Sequence, residues 1–509
     1  MSKIRFQAED LELFSAASHD RNPLHLSASY ARRTPFAQPV VQGVLAALAT
    51  LSVAPAREGV LLDSASFLFR KPVFAGIDYT VAVAARQPLE VRCSLADSGR
   101  TLLTANFKFR AGEPLPPGDF SAIDPEPAEA DRRVPAELVP GLALDFRYAP
   151  CPDALRRLLA RWGLERQGLG LGEIAALLCC SYIVGMKLPG ERALFSQLKI
   201  QFPPRPFGLE RGLNIHAEVS EFDDRFQRLG VRATIGPTAS PGAEADLSAY
   251  VRNEPPTTSV VELARWLPPS ASLAGRTAIV IGGSRGFGAA IAVALASQGA
   301  RVLLNYRSSH DAAAGLQSLV REAGFPGAIE LHPGDAADPA WCAAWQAQLA
   351  TDGIAVDLLI CSAAPPIRSV GLSTDGVDRI REYVDQCFAL ACAPIGAFRD
   401  RLRQTGGRLV VVSSVVADPV YQDFPEDWFH YIAAKCAIEG FVRAVAHQSP
   451  ELPILVVRPP RLLTDQTNTP GLNAEVTPAE QAAAGLVAHL LGPAPAGLEI
   501  AEIPRPAKH

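Results

Sequence analysis

The chain has 509 residues, of which 48% are hydrophobic and 20% charged, with nine cysteines and a formal net charge of −5. That balance excludes a disordered chain, and the absence of any Lys/Arg-rich run excludes a nucleic-acid binder. Scattered cysteines without a CxxC pair exclude a disulfide framework and leave no metal site to expect.

Chain order begins with MSKIRFQAEDLELF, whose charges stand where a secretion signal needs an apolar core. No uninterrupted apolar run reaches about 18 residues, so no membrane partner and a cytoplasmic location are expected. A helix is predicted around Glu9–Ala17 and a longer one through Val40–Ala54, with a polar loop between them. β-type runs follow at Ser64–Arg70, Tyr79–Ala85, Glu90–Asp97 and Thr101–Arg110. Residues 111–140 are rich in Pro and acid and read as a linker. The order then repeats, with a helix over Gly172–Val184 and strands at Ala193–Phe202, Gly212–Phe222, Arg228–Ile235 and Ala245–Arg252. One long helix followed by four antiparallel strands is the order of a hotdog fold, and two in tandem suggest an internal pseudo-dimer.

A second Pro-rich linker follows, and beyond it strand and helix alternate. Strands are predicted at Thr277–Ile281, Arg301–Tyr306, Leu358–Cys361, Arg408–Ser413 and Ile454–Arg458, with helices at Gly286–Gln298 and Asp311–Ala323. Such alternation argues for a parallel doubly wound sheet. The expected organisation is therefore a hotdog over 1–112, a linker over 113–140, a second hotdog over 141–253, a linker over 254–271 and a Rossmann-type α/β domain over 272–509. The fold class is an α+β double hotdog followed by an α/β doubly wound sheet.

Residues 279–290 read IVIGGSRGFGAA, a buried strand running into a glycine-rich turn and a helix. Gly282 permits the tight turn, while Gly286 and Gly288 let backbone approach a pyrophosphate at the helix N-terminus. The next strand, RVLLNYRSS, ends without the acid that would hold a ribose 2′-hydroxyl. Arg307 stands there and Arg285 lies in the glycine loop, a pair suited to a 2′-phosphate and hence to NADPH. Downstream, Ser414 closes the strand RLVVVSS, and YIAAK places Tyr431 and Lys435 on one helix face. A phenol with a pKa near ~10 must exchange a proton near neutral pH, and an ammonium beside it favours the phenolate.

These motifs, in this order, resemble the short-chain dehydrogenase/reductase family over about Ser272 to the carboxy terminus. The resemblance implies a catalytic triplet of Ser414, Tyr431 and Lys435. The family's fourth catalytic residue is an Asn, and matching back from Ser414 without gaps puts Gln386 in its place. It further implies cofactor contacts at Ser284, Phe287, Asp335, Ala363 and Thr464. This chain departs from the family pattern at Ile281, at Cys361-Ser362-Ala363-Ala364 and at Pro459-Pro460.

In the first block, SHDRNPLHL brings Asp20 and His25 onto one polar loop around Asn22-Pro23. A carboxylate and an imidazole held close can share acid–base work on a β-hydroxyacyl group. Gly43 opens the following helix, where its N–H can polarise a thioester carbonyl. D-x-N-P-x-H resembles the MaoC-like (R)-specific hydratases and dehydratases, which implies that Asp20 and His25 are the catalytic pair. His19 and Gln42 stand where that family has Gly and His. The second block lacks the motif and is expected to complete the sheet and shape an acyl pocket, with Cys179 and Cys180 as packing.

Together the motifs describe consecutive chemistry. The expectation is an NADPH-dependent 3-oxoacyl-thioester reductase joined to a 3-hydroxyacyl-thioester dehydratase, acting on acyl carrier protein or coenzyme A thioesters in fatty acid or polyketide-type biosynthesis, as a homo-oligomer. The alternative is a ketoreductase alone, with the front region as an acyl-binding or carrier-docking scaffold.

Overall fold

The computed structural model describes every residue except 1, 88, 114, 116–118, 124–128, 238–240, 424–426, 470–475 and 504–509, so much of the first Pro-rich linker lies outside the described residues. The chain divides into two compact units, Met1–Glu254 with Thr469–Gly471, and Pro255–Asn468 with Leu472–His509.

Ten strands build the first unit. They are β1 (Ser2–Arg5), β2 (Val60–Phe69), β3 (Asp78–Gln87), β4 (Glu90–Asp97), β5 (Arg100–Ala111), β6 (Ala143–Tyr148), β7 (Ala193–Gln201), β8 (Leu213–Asp223), β9 (Arg228–Gly236) and β10 (Ala243–Val251). They form one antiparallel sheet in the order β1-β3-β4-β5-β2-β7-β10-β9-β8-β6. The two halves join where β2 pairs with β7, Phe67 lying opposite Leu198. The order reads the same from either edge, because β6 stands to β8 as β1 stands to β3. The helices repeat in step: α1 (Ala8–Ser18), α2 (Pro23–Leu26), α3 (Ala28–Ala31) and α4 (Gly43–Leu51) in the first half, α5 (Pro152–Trp162) and α6 (Leu171–Tyr182) in the second. β10 alternates buried and exposed residues, as a sheet covered on one face does. α4 and α6 are apolar around almost their whole circumference and are buried accordingly.

This unit differs from the sequence expectation in several features, among them the unpredicted helices α2, α3 and α5. The sequence expectation lacks both edge strands: β1, four residues long, is too short to show a period, whereas β6, ALDFRY, alternates in sequence and burial and is passed over. The central helix begins at Gly43 instead of Val40, because the Val41 N–H is held by the Val73 carbonyl at 2.8 Å.

The second unit holds α7 (Val260–Trp266), β11 (Thr277–Ile281), α8 (Gly286–Ser297), β12 (Arg301–Tyr306), α9 (His310–Glu322), β13 (Ala328–Pro333), α10 (Pro339–Thr351) and β14 (Leu358–Cys361). It continues with α11 (Thr374–Thr405), β15 (Arg408–Val412), α12 (Phe429–Gln448), β16 (Ile454–Arg458), the short pair β17 (Leu462–Leu463) and β18 (Thr477–Pro478), α13 (Ala479–Leu491) and β19 (Leu498–Glu502). Its seven-stranded parallel sheet runs β13-β12-β11-β14-β15-β16-β19. All residues of β11 and β16 are buried, the signature of strands covered on both faces. The strand order reverses between β11 and β14, which opens a crevice at their carboxyl ends. No helix among the described residues is long and apolar enough to cross a membrane.

Candidate active sites

In the first unit, Asp20 lies on the loop that leaves α1. That helix ends on His19, whose backbone is left-handed with φ of 58°. Glycine takes that conformation without a Cβ penalty, which is why it is the ordinary residue there. Asp20 is 1% exposed. Its carboxylate accepts from the Ser181 hydroxyl at 2.7 Å and from the Asn22 N–H at 3.3 Å. Asn22 caps α2 by accepting from the Leu24 N–H at 3.0 Å, and its amide donates to the carbonyls of Gly185 at 2.7 Å and Gly190 at 3.0 Å.

His25 follows on α2. Its Nδ1 lies 2.6 Å from the Val40 carbonyl. A carbonyl only accepts, so Nδ1 carries the hydrogen and the neutral ring keeps its lone pair on Nε2. Burial raises the Asp20 pKa, with His25 the chief opposing charge. Burial lowers the His25 pKa, with Asp20 the chief opposing charge. The pair thus holds a carboxyl that keeps its proton more readily than usual beside an imidazole that stays neutral. Gly43 sits at the start of α4, and a Cβ there would meet the Phe69 ring at 2.8 Å. Gln42, fully buried, turns away from this loop and donates to the Leu11 carbonyl at 3.2 Å and to the Ser15 hydroxyl at 3.0 Å.

Three residues that sequence reasoning passes over complete this site, all from the second half. Ser181 bonds Asp20 directly. Gly185 lies in a π-turn, Ile183–Lys187, and a Cβ there would stand 2.4 Å from the Asp20 carboxylate. Arg252 donates to the Tyr30 hydroxyl at 2.9 Å and to the Glu191 carbonyl at 2.7 Å, and its charge helps hold His25 neutral. The second half therefore supplies polar partners to the Asp20 loop and not sheet alone. Cys179 and Cys180 are fully buried in α6.

In the second unit, the glycine loop and the end of β14 meet in the crevice. Gly282 has φ of +75°, and a Cβ on it would lie 2.7 Å from Ala363. A Cβ on Gly288 would lie 2.4 Å from the Gly282 carbonyl, so the first turn of α8 packs on the loop only with glycine there. Gly286 has φ of +54° and faces Thr464, 3.4 Å from where its Cβ would stand. Ser284 is partly exposed on the loop, whereas the Phe287 side chain packs into the core. Arg285 lies 3.7 Å from Asp465, and Arg307 lies 3.5 Å from Asp335 with 72% of its side chain exposed. These residues fit a dinucleotide: a cradle that added Cβ atoms would fill, a helix N-terminus for pyrophosphate, and two guanidinium groups at its rim.

Tyr431 and Lys435 lie on α12, and Tyr431 is hydrogen-bonded to Ser414. Lys435 donates to the Val412 carbonyl at 2.9 Å, with Nζ 5.7 Å from the Tyr431 ring centroid. Burial holds the phenol above its usual pKa, opposed by the Ser414 hydrogen bond. That direction is opposite to the lowering expected from Lys435, whose own pKa burial depresses. A protonated phenol is the form that can donate to a forming hydroxyl. Ser413 and Ser414 are anchored from behind. Ser413 donates to Glu439 at 2.6 Å, and Glu439 accepts from Arg458 at 2.9 and 2.8 Å.

Gln386 does not join this group. It is exposed on α11 and donates to Glu382 at 3.1 Å. Its neighbour Cys387, 2% exposed, faces the pair and interacts electrostatically with both Tyr431 and Lys435. Gap-free matching therefore lands on an exposed position, and one step along the helix, a turn of about 100°, separates it from buried Cys387.

Residues 276–470 match the short chain dehydrogenase family model, and residues 2–92 match the MaoC-like domain model. Short chain dehydrogenase penD of Penicillium thymicola is 32% identical over 197 residues, which cover 38% of this chain and 68% of that protein. NADPH-dependent aldehyde reductase 2 of Arabidopsis thaliana is 30% identical over 224 residues, 41% of this chain and 79% of that protein. At the other end, the (R)-specific enoyl-CoA hydratase of Aeromonas caviae is 38% identical over 85 residues, 16% of this chain and 61% of that protein.

Proposed function

Because this chain belongs to the short-chain dehydrogenase family and carries a MaoC-like domain ahead of it, we propose that it reduces a 3-oxoacyl thioester with NADPH and then removes water from the 3-hydroxyacyl product. The observation that carries this reading is the presence of both acid–base sets on one chain. Ser414, Tyr431 and Lys435 can make a secondary alcohol, and Asp20 with His25 can eliminate one.

In the reductase half, Gly282, Gly286 and Gly288 would admit the dinucleotide, and Arg285 and Arg307 would meet a 2′-phosphate. When bound, that cofactor supplies a hydride to the carbonyl carbon. The chain's own part is to hold the carbonyl oxygen. Ser414 donates to it, Tyr431 passes it the phenolic proton, and Lys435 stabilises the phenolate left behind. Cys387 brings a thiol beside Tyr431 and Lys435, while the amide of Gln386 is bonded to Glu382.

In the dehydratase half, the tautomer held by the Val40 carbonyl supports one division of roles. Nε2 of His25 takes the α-proton, and Asp20 gives its proton to the departing hydroxyl, so that a C–O bond breaks, a C=C bond forms and water leaves. The Gly43 N–H polarises the thioester carbonyl as charge develops. The product is a 2-enoyl thioester.

Supplied with a 3-hydroxyacyl thioester, the purified chain should show enoyl absorbance growing in, and Asp20→Asn should show none. Equal traces for the two proteins would remove the dehydratase from this reading and leave a reductase with an acyl-binding front.

A further inference from the structure

Outside both sites, the first unit carries a cationic basin on the outer face of its sheet. The register sets its walls. Arg92 on β4 lies opposite Asn106 on β5, and Asn106 lies opposite Ser66 on β2. Along the next row Ser94 lies opposite Thr104. The chain leaves β2 through Arg70 and Lys71, whose N–H groups are held by the Leu102 carbonyl at 2.8 and 3.2 Å. A cavity of about 560 Å³ results, lined by Arg70, Lys71, Arg92 and Arg100 with the hydroxyls of Ser94 and Thr104, and no carboxylate lines it. A second lobe of about 460 Å³ shares Arg70 and Arg92, extends over the amides of Asn106 and Gln197, and is bordered by the Glu90–Lys108 ion pair.

Other cations of this sheet are matched: Lys108 at the border of the second lobe with Glu90 at 3.0 Å, and away from it Arg110 with Asp63 at 3.3 Å and Arg228 with Glu221 at 2.7 Å. Arg70, Lys71 and Arg92 pair with no carboxylate among the described residues, in a chain whose net charge is −5. The one carboxylate at the basin, Glu90, is engaged by Lys108, so Arg70, Lys71 and Arg92 repel one another, and a bound polyanion relieves that repulsion. Guanidinium forks match phosphate oxygens in pairs, hydroxyls add donors, and the amide-lined lobe offers both donor and acceptor to a nucleobase edge. The basin starts one residue beyond Phe69, whose ring lies against Gly43 at the dehydratase site.

We propose that this two-lobed basin binds a nucleotide bearing several phosphates and that it holds the nucleotide end of a coenzyme A thioester while the acyl end reaches Asp20 and His25. The second clause rests on the proposed dehydratase. It selects coenzyme A over a carrier protein as the substrate's handle.

The test is titration calorimetry of the full chain with coenzyme A, with NADPH saturating so that the dinucleotide crevice is filled. Wild type should bind with an affinity that falls as salt rises. Arg70→Glu with Arg92→Glu should weaken binding by about tenfold or more, and the milder Arg70→Gln with Arg92→Gln by a smaller factor in the same direction. Unchanged binding in both double variants would overturn the site. Adenosine triphosphate binding as tightly as coenzyme A would overturn its assignment to the thioester. Kinetics separate this inference from the function it rests on. The variants should raise KM for a 3-hydroxyacyl-coenzyme A and leave the N-acetylcysteamine thioester, which has no nucleotide, unaffected. Equal losses on both thioesters would contradict the inference. Loss of coenzyme A binding in the variants of a chain that dehydrates neither thioester would uphold the basin and sink the dehydratase.

Discussion

Asp20 shows what a single buried carboxylate demands of its neighbours. It has its hydrogen bond from Ser181, a residue 161 positions away in the chain. Replacing Ser181 by Ala removes a bond to a charged or charge-sharing acceptor, worth about 1.5–3 kcal/mol. Dehydration should therefore slow by about 10–100-fold, while NADPH oxidation with a 3-oxoacyl thioester stays at the wild-type rate. Gly185→Ala should be harsher for the same activity, since its new methyl would stand 2.4 Å from the Asp20 carboxylate. In the other unit, Gln386→Ala should leave the reductase rate within about twofold, because an exposed side chain bonded only to Glu382 touches nothing in the site. Tyr431→Phe, by contrast, should cost about 10²–10⁴-fold. The residues of each motif were legible in sequence because local spacing places them: Tyr431 and Lys435 one helical turn apart, Asp20 and His25 on one loop. Ser181, Gly185 and Arg252 were not, since only the pairing of the two halves brings them to the loop. Gln386 proved exposed and its neighbour Cys387 buried beside the pair, a helix orientation that a gap-free match has no means to detect.

Elements carry two further consequences. The glycine loop lies where the strand order reverses between β11 and β14; the parallel doubly wound sheet is read from the alternation of strand and helix, and the strand order comes from the structure. The edge strand β1 offered no such pattern, because pairing with β3 decides its state, whereas β6, ALDFRY, carries an alternation that sequence reasoning passes over. α6 opens on a buried acid, Glu173, which is 3% exposed and accepts from the Gly170 N–H at 2.7 Å. Burial pushes its pKa up to about 7 from an ordinary 4.5. Between those values the folded chain keeps a proton that the unfolded chain has released. The associated stability is complete below the unfolded value and is lost as pH rises toward the folded one, by an amount on the order of 3 kcal/mol. The melting temperature of the first unit should fall over that interval, and Glu173→Gln should flatten the profile. A profile unchanged by the substitution would remove Glu173 as its source. The Glu439–Arg458 pair behind Ser413 and Ser414 should be still less tolerant. Glu439→Gln leaves a buried guanidinium short of its partner and should cost about 3–5 kcal/mol of stability in the second unit.

At the scale of the molecule, two units with separate cores carry the two candidate acid–base sets, and both halves of the first unit's pseudo-repeat contribute to the one Asp20 loop. A sequence motif in the first half and a complementary set of partners in the second explain why the second half carries no D-x-N-P-x-H of its own. Separate cores predict separable activities. The most direct measurement is a single-vessel time course with a 3-oxoacyl thioester and NADPH, following cofactor oxidation and enoyl absorbance together. Wild type should oxidise NADPH and then accumulate enoyl thioester. Asp20→Asn should oxidise NADPH at the same rate and stop at the 3-hydroxyacyl thioester, and Tyr431→Phe should do neither. NADPH oxidation in wild type without any enoyl product, indistinguishable from Asp20→Asn, would contradict a chain that reduces and then dehydrates.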